Sequence, residues 1–156
     1  MVIGFRSFTD GFAYVVLQGT QSEPEVLEKD RLYLPEDHSW PACLAWVRKQ
    51  LSEILQNFDV DAACIKAIEP RAMRKSVKRF QIEAVIQEYL HSAKSIDCTT
   101  RIKSQLRRDI SGFTAPARYL ERVLTQSDIL SNLNTPQYQE ATLAAVSELP
   151  EGRLNG

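Results

Sequence analysis

The chain has 156 residues, a formal net charge of −1 at pH 7, 44% hydrophobic residues and 25% charged residues. This composition is typical of one globular domain and excludes a disordered or collagen-like chain. Apolar runs stay well short of the roughly 20 residues that span a membrane, and the N-terminus lacks the segments of a signal peptide. We therefore expect a cytoplasmic protein with no membrane partner.

Three cysteines, Cys43, Cys64 and Cys98, are widely spaced and form no CxxC pair. Such a pattern is typical of reduced thiols in a cytosolic protein, and the first two stand where core residues are expected. Only two histidines accompany them, so a zinc site is not indicated.

Positive charge is concentrated between residues 66 and 108, where eleven lysines and arginines face four acidic residues. One interpretation is a solvated basic face. The other is a contact surface for DNA or RNA. A sequence pI near 6.1 argues against a strong general DNA-binding protein, and the charge pattern alone leaves both interpretations open.

The first elements predicted are two short strands over 2–6 and 12–18, joined by a turn at Asp10-Gly11. Residues 19–29 are polar and contain a proline, which favours a loop. A third strand is predicted over 31–35, ending at its proline. The order indicates an antiparallel meander.

Helical signals begin at Ser39, which precedes Trp40-Pro41 as a cap precedes a first turn. Apolar residues at helical spacing continue to Phe58. The run over 61–68 is apolar and predicts a strand buried on both faces. A second, deeply packed helix is predicted from Ser76.

The remaining predicted elements alternate strand and helix. They are a short strand over 94–98, a helix capped by Thr99-Thr100 and ending near Arg108, a helix over 116–130, and a helix from Thr135-Pro136 to about Leu149. We expect a single α/β domain over 1–150, with a mixed sheet of about five strands flanked by helices, and a flexible tail over 151–156.

Five motifs in this order resemble the ribonuclease H-like fold, in its RuvC-like resolvase branch, and a small bacterial family of such proteins. They are VIGFRS on the first strand, AACIKAIEP on the fourth, KRFQIEAVIQEYLHS on the following helix, SIDCTTRIKSQL after it, and TPQYQEATLAAVSEL at the end. The resemblance spans most of residues 2–149 and implies the same fold.

The resemblance also implies a catalytic acid after the apolar end of the first strand, where this chain has Arg6. Matching acids are Glu69 after the fourth strand and Glu140 on the last helix, with Glu83 as a further candidate. Asp10 lies four residues beyond Arg6 and is expected at the hairpin tip. A guanidinium repels a metal ion, so we expect Arg6 to pair with Glu69 or Glu140.

Basic residues follow the glutamate strand, where the resemblance implies contact with a nucleic-acid backbone. The predicted contacts are Arg71, Arg74, Lys75, Lys78, Arg79, Arg101 and Lys103, and Arg107 and Arg108 follow these in the sequence.

The favoured hypothesis is a catalytically degenerate nuclease-like domain that binds nucleic acid or a protein partner and needs no cofactor, and whether the chain is an enzyme is left open. The first alternative is a nuclease using Mg²⁺ or Mn²⁺, with Glu69 and Glu140 as metal ligands. The second alternative is a structural subunit that forms a homodimer.

Overall fold

The structure is a computed structural model that describes residues 1–110 and 135–152. Strands and helices alternate after an initial three-stranded meander. In chain order the elements are β1 (Val2–Phe8), β2 (Gly11–Gly19), β3 (Pro24–Tyr33), α1 (Trp40–Asn57), β4 (Ala62–Lys66), α2 (Val77–Lys94), β5 (Thr99–Arg101), α3 (Lys103–Asp109) and α4 (Pro136–Val146).

The strands form one five-stranded sheet in the order β3-β2-β1-β4-β5. The pairs β1–β2 and β2–β3 are antiparallel, whereas β4 is parallel to both β1 and β5. This arrangement confirms the predicted mixed sheet that begins with a meander. It also brings the carboxyl ends of β1 and β4 to the same edge.

Helices cover both faces of the sheet. One face carries Ile3, Phe5 and Ile65, which pack in a cluster with buried residues of α1 and α2. The other face carries Val2 and Val15, which pack in a second cluster with α4. Because successive strand residues point to opposite faces, β1 and β4 contribute alternate residues to the two clusters.

Gly4 lets helix α4 lie directly on β1. A Cβ atom at this position would lie 2.0 Å from the carbonyl oxygen of Ala141 and 2.4 Å from the backbone nitrogen of Ala145. Any side chain larger than hydrogen would therefore push the helix away from the sheet. The close approach brings the N-terminal part of α4, with Glu140, near the end of β1.

The prediction of a loop over 19–29 is wrong for its second half, because β3 begins at Pro24. Within the described sheet β3 is an edge strand, and an edge tolerates proline at its first residue and charged side chains along its length. The register between β2 and β3 also shifts after Val16, so Leu17 pairs with Val26. Polar composition was therefore a misleading signal here.

The strand predicted over 94–98 is also wrong. Helix α2 continues to Lys94 and ends at Ser95, whose left-handed conformation (φ 55°) closes the helix. The N–H of Ser95 donates to the carbonyl of His91, and the N–H of Ile96 donates to that of Leu90, both at 3.0 Å. The fifth strand is Thr99–Arg101, so the two threonines extend a strand instead of capping a helix.

The predicted cap at Ser39 is confirmed, and Ser76, predicted only as the start of the second helix, also caps its helix. The Oγ atom of Ser39 accepts from the N–H of Ala42, and that of Ser76 accepts from the N–H of Arg79, each at 3.3 Å. The last helix begins at Pro136 as predicted but ends at Val146. The helix predicted over 116–130 and residues 153–156 of the predicted tail lie outside the described residues.

Cys43 and Cys64 are buried free thiols, as expected from their positions, and Cys98 is also free. Among the described helices, we find none with the length and apolar character needed to cross a membrane.

Candidate functional site

The candidate site lies where β1 and β4 end side by side. Phe5 pairs with Ile65 in the parallel register, so Arg6 and Lys66, the next residues, are neighbours across the two strands. Both alternate with residues that pack toward α1 and α2. Their side chains therefore share the face covered by α4.

Arg6 is held by the last described helix. Its Nε atom lies 2.9 Å from Oε2 of Glu140, and its guanidinium also donates to the backbone carbonyl of Ser7. The side chains of Arg6 and Glu140 are 18% and 32% exposed, so the ion pair is partly shielded from water. The expectation that Arg6 pairs with Glu69 or Glu140 is met by Glu140.

Lys66 is a buried lysine at the centre of the site, with 5% of its surface exposed. Its Nζ atom donates to the carbonyl of Ala67 at 2.9 Å and lies 3.0 Å from Oε1 of Glu69. The same nitrogen is 3.8 Å from Oε2 of Glu140. Lys66 therefore bridges two of the predicted catalytic acids, and a buried ammonium needs such partners.

Glu69 follows β4 by three residues and is 41% exposed. Its Oε1 atom also accepts from the backbone N–H of Lys103, at 2.9 Å. Partial burial raises the pKa of Glu69, but the Lys103 N–H and the Lys66 ammonium outweigh it and hold that pKa below its usual value. Glu69 is thus an ionised partner of Lys66 at neutral pH.

Glu83 lies on the opposite face of the sheet from Glu140. It is buried on α2, and its Oε1 atom accepts from the hydroxyl of Ser7 at 2.6 Å. The Nε atom of Arg79 donates to the same hydroxyl at 3.3 Å. Burial raises the pKa of Glu83, while Ser7 and the nearby cations oppose that rise. Ser7 therefore connects Glu83 to Arg79, and Arg6 and Lys66 are among the cations that oppose the rise, so Glu83 lies within electrostatic range of that pair.

The residues of this site do not suit a divalent metal ion. Within residues 1–110 and 135–152, no three His, Cys, Asp or Glu side chains lie close enough together to hold one. Glu69 and Glu140 already face Lys66 and Arg6, and Asp10 is exposed in the hairpin turn. Hard divalent cations need several oxygen ligands, and fixed cations nearby oppose their binding.

The predicted nucleic-acid contacts fall into two groups. Arg79 is half-buried beside Ser7, and Arg101 pairs with Asp109 at 2.8 Å and with Glu148 at 2.5 Å. Both side chains are therefore engaged within the protein. The others are exposed: Arg71, Arg74, Lys75, Lys78 and Lys103, together with Arg107 and Arg108.

Apolar side chains are exposed among the cations that lead into α2. Met73, Val77 and Phe80 are 101%, 68% and 46% exposed. The ammonium of Lys78 lies 5.0 Å from the centre of the Trp40 ring. Large exposed apolar residues are informative when they cluster, and here they interleave with lysines and arginines. We name this set, residues 71–80, the basic–apolar segment.

Sequence reasoning missed Lys66 and Ser7. A usable signal for Lys66 was present, because Ile65-Lys66 repeats the apolar-then-cationic order of Phe5-Arg6 on a strand that is a parallel neighbour. Ser7 carried no comparable signal, since its role depends on which α2 side chain reaches it. The exposure of Phe80 was also unexpected, because the helix was predicted to pack deeply along its length.

No protein-family model matches the sequence, and no curated protein is significantly similar to it. Solved structures do match. The chain is similar to RuvC from T. thermophilus in complex with a Holliday junction substrate, with a TM-score of 0.73, 11% identity, and coverage of 94% of this chain and 90% of that one.

Two further resolvases are similar. The yeast mitochondrial Holliday junction resolvase Ydc2 matches with a TM-score of 0.63, 12% identity, and coverage of 94% of this chain and 76% of that one. The fowlpox virus resolvase in complex with Holliday junction DNA gives 0.60, 9% identity, and coverage of 96% and 98%. At these identities the likeness concerns the fold alone. The chain therefore has a RuvC-like, ribonuclease H-like fold.

Proposed function

We propose that the chain is a nucleic-acid-binding domain that does not cleave its ligand. The observation that carries the proposal is the Arg6–Lys66 pair, which places two cations against Glu69 and Glu140. Carboxylates that are already paired with side-chain cations are poor ligands for a catalytic metal. Binding through phosphate contacts needs no such metal.

The exposed cations support binding at the same end of the molecule. The backbone N–H of Lys103 touches Glu69, and the basic–apolar segment begins two residues after Glu69. Phosphate contacts from lysine and arginine supply most sequence-independent affinity for nucleic acid. We assign these contacts to Arg71, Arg74, Lys75, Lys78 and Lys103, because Arg79 and Arg101 are engaged inside the protein.

Phe80, Val77 and Met73 support a ligand with unpaired bases. Apolar and aromatic side chains among cations form a surface on which unstacked bases lie, whereas a continuous duplex offers only its phosphates and groove edges. The solved structures of T. thermophilus RuvC and the fowlpox virus resolvase contain Holliday junction DNA. The exposed apolar side chains favour single-stranded nucleic acid and the structural neighbours favour branched DNA, and these two are the proposed ligands.

A metal-dependent nuclease is the alternative that the structural neighbours favour, since they are described as resolvases. For this chain it requires Mg²⁺ or Mn²⁺ to bind beside Glu69 and Glu140 despite Lys66 and Arg6. A homodimer, whether as a structural subunit or as the binding form, stays a prediction.

A cleavage assay separates the two functions. Purified protein is incubated with labelled duplex, single-stranded DNA, RNA–DNA hybrid and four-way junction in Mn²⁺, and products are resolved on a denaturing gel. We expect intact substrates throughout. Cleavage that disappears in Glu69→Ala would reject the non-catalytic function and establish a nuclease.

A binding titration then tests the proposed surface. The variant Arg74→Ala/Lys75→Ala should bind labelled junction more weakly, and the slope of log K against log salt should fall by about 1 to 2. The control Lys49→Ala/Lys94→Ala removes the same charge from exposed positions on α1 and at the far end of α2. Equal losses in both variants, or no binding by the unmodified protein with or without Mn²⁺, would contradict the proposed surface.

A further inference from the structure

We infer that Lys66 and Arg6 act together as fixed cations that take the place of divalent metal ions in this cleft, and that both must be changed before the cleft binds a metal. This inference rests on the non-cleaving part of the proposed function, which the same two cations carry. Metal binding is measured without nucleic acid, so a failure of the inference and a failure of nucleic-acid binding are distinguishable.

The geometry of the two strands carries the inference. Arg6 and Lys66 stand one residue beyond the Phe5–Ile65 pair, so their backbones lie side by side on adjacent parallel strands. Each of the two cations directly follows the last apolar residue of its strand that packs against α1 and α2. The resemblance described above implies acids after the apolar ends of these same two strands. By this register Lys66, not Glu69, stands at the end of the fourth strand.

The contacts of Arg6 and Lys66 agree with two side-chain cations that occupy the place of metal ions. One oxygen of Glu140 lies 2.9 Å from Arg6 Nε and 3.8 Å from Lys66 Nζ. Lys66 also lies 3.0 Å from Glu69, and its remaining contact is the carbonyl of Ala67 at 2.9 Å. Two carboxylate oxygens and one carbonyl oxygen thus surround the buried Nζ atom of Lys66, and one of these carboxylate oxygens also contacts Nε of Arg6. Oxygen ligands surround a hard metal cation in a similar way.

The charges also balance without a metal. Arg6 and Lys66 supply two positive charges against the carboxylates of Glu69 and Glu140, and the neighbouring Arg79 and Glu83 add one further cation and one further carboxyl group. Adding a divalent ion would leave the cleft with an excess of two positive charges in a shielded position, which is unfavourable. Changing only one cation to an acid leaves the other beside the same carboxylates. Both changes together place four carboxylates at positions 6, 66, 69 and 140.

The test is a metal titration of four proteins by calorimetry and by Mn²⁺ electron paramagnetic resonance. They are the unmodified chain, Arg6→Asp, Lys66→Glu and the double variant Arg6→Asp/Lys66→Glu. A fifth protein, Lys49→Glu/Lys94→Asp, makes the same charge change at exposed positions on α1 and at the end of α2, and controls for non-specific attraction of cations.

We expect the double variant to bind one Mn²⁺ with a Kd in about the 10⁻⁴ to 10⁻³ M range, and the other four proteins to bind at least about tenfold more weakly. Binding of Mn²⁺ by the unmodified chain at that strength would overturn the inference. Equal binding by Arg6→Asp and the double variant would also overturn it, since Lys66 would then be irrelevant to the metal position.

A further double variant tests the inference if Arg6→Asp/Lys66→Glu does not fold. Arg6→Asn/Lys66→Gln removes both fixed cations without adding acids, so repulsion within the cleft is smaller. Its melting temperature should rise on addition of Mn²⁺, while that of the unmodified chain should not. No rise in this variant, with circular dichroism showing that it is folded, would overturn the inference.

Discussion

The Nε atom of Arg6 lies 2.9 Å from Oε2 of Glu140, and this ion pair joins the first strand to the last described helix. Because both side chains are more than two-thirds buried, removing Arg6 leaves a shielded carboxylate whose nearest cation among the described residues is Lys66, 3.8 Å away. We expect Arg6→Ala to lower the free energy of unfolding by about 1–3 kcal/mol, measured by urea denaturation.

A double-mutant cycle isolates the pair itself. Arg6→Ala, Glu140→Ala and the double variant should give a coupling energy of about 0.5–3 kcal/mol. The matched control is the exposed pair Arg48–Glu88 between α1 and α2, for which about 0.2–1 kcal/mol is expected. A coupling for Arg6–Glu140 no larger than that of the control would show that burial adds nothing to the pair.

Features set by neighbouring residues were predictable from the sequence. Ser39 and Ser76 cap helices because their hydroxyls reach backbone N–H groups three residues on. Asp10-Gly11 marked the hairpin for the same local reason. The extent of β3 was not predictable in this way, because its charged residues are acceptable only at the edge of the sheet, and edge position depends on the other strands.

In the candidate site, too, local features were predictable from the sequence and long-range contacts were not. Arg6 and Glu140 were identified by motif, and charge predicted that Arg6 pairs with Glu69 or Glu140 without choosing between them. Lys66 was missed because its importance depends on the parallel register of β1 and β4, a contact between segments about 60 residues apart. Glu83 was grouped with the other acids by sequence, yet the alternation of β1 sends Ser7, its partner, to the opposite face from Arg6.

Phe80 should distinguish ligands with unpaired bases from a continuous duplex. Phe80→Ala removes a half-exposed ring beside Val77 and the exposed lysines, and base–aromatic stacking is worth about 1–3 kcal/mol per base. We expect the affinity for single-stranded DNA to fall about fivefold or more and that for duplex DNA to change less than about twofold, measured by fluorescence anisotropy at one salt concentration.

The control for this variant is Tyr33→Ala, which removes an exposed ring from β3. It should leave both affinities unchanged. A loss in Phe80→Ala that is equal for duplex and single strands would argue against stacking, and would indicate that Phe80 only positions the neighbouring cations.

Gly4→Ala should be among the most damaging single changes in the described core. The added Cβ would overlap the carbonyl of Ala141, which belongs to the α4 backbone and cannot rotate away. Overpacking of this kind costs about 1–3 kcal/mol or more, because either the helix or the strand must move. Thermal unfolding should show a lower Tm, and the displaced α4 should also weaken the Arg6–Glu140 contact. An unchanged Tm would mean that α4 does not pack on β1 as described.

Asp109 should make stability depend on pH in the acid range. Hydrogen bonds from Arg108 and then from Arg101 lower the pKa of Asp109 from 3.8 to about 2. A carboxylate with a lowered pKa in the folded state stabilises the protein above its unfolded pKa, and this contribution is lost as the pH falls through the folded value. The contribution is therefore complete at neutral pH and disappears between about pH 3.8 and 2.

Asp109→Asn removes that contribution at every pH. We expect its Tm to lie below that of the unmodified chain at pH 7, and the difference to narrow as the pH falls from about 3.8 toward 2. Asp59→Asn, a change at an exposed carboxylate, should leave the profile unchanged. A Tm difference for Asp109→Asn that stays constant down to pH 2 would show that the arginines do not stabilise the ionised form. In that case Arg101 would be free of one of its two carboxylate partners, and its exclusion from the nucleic-acid surface would need to be reconsidered.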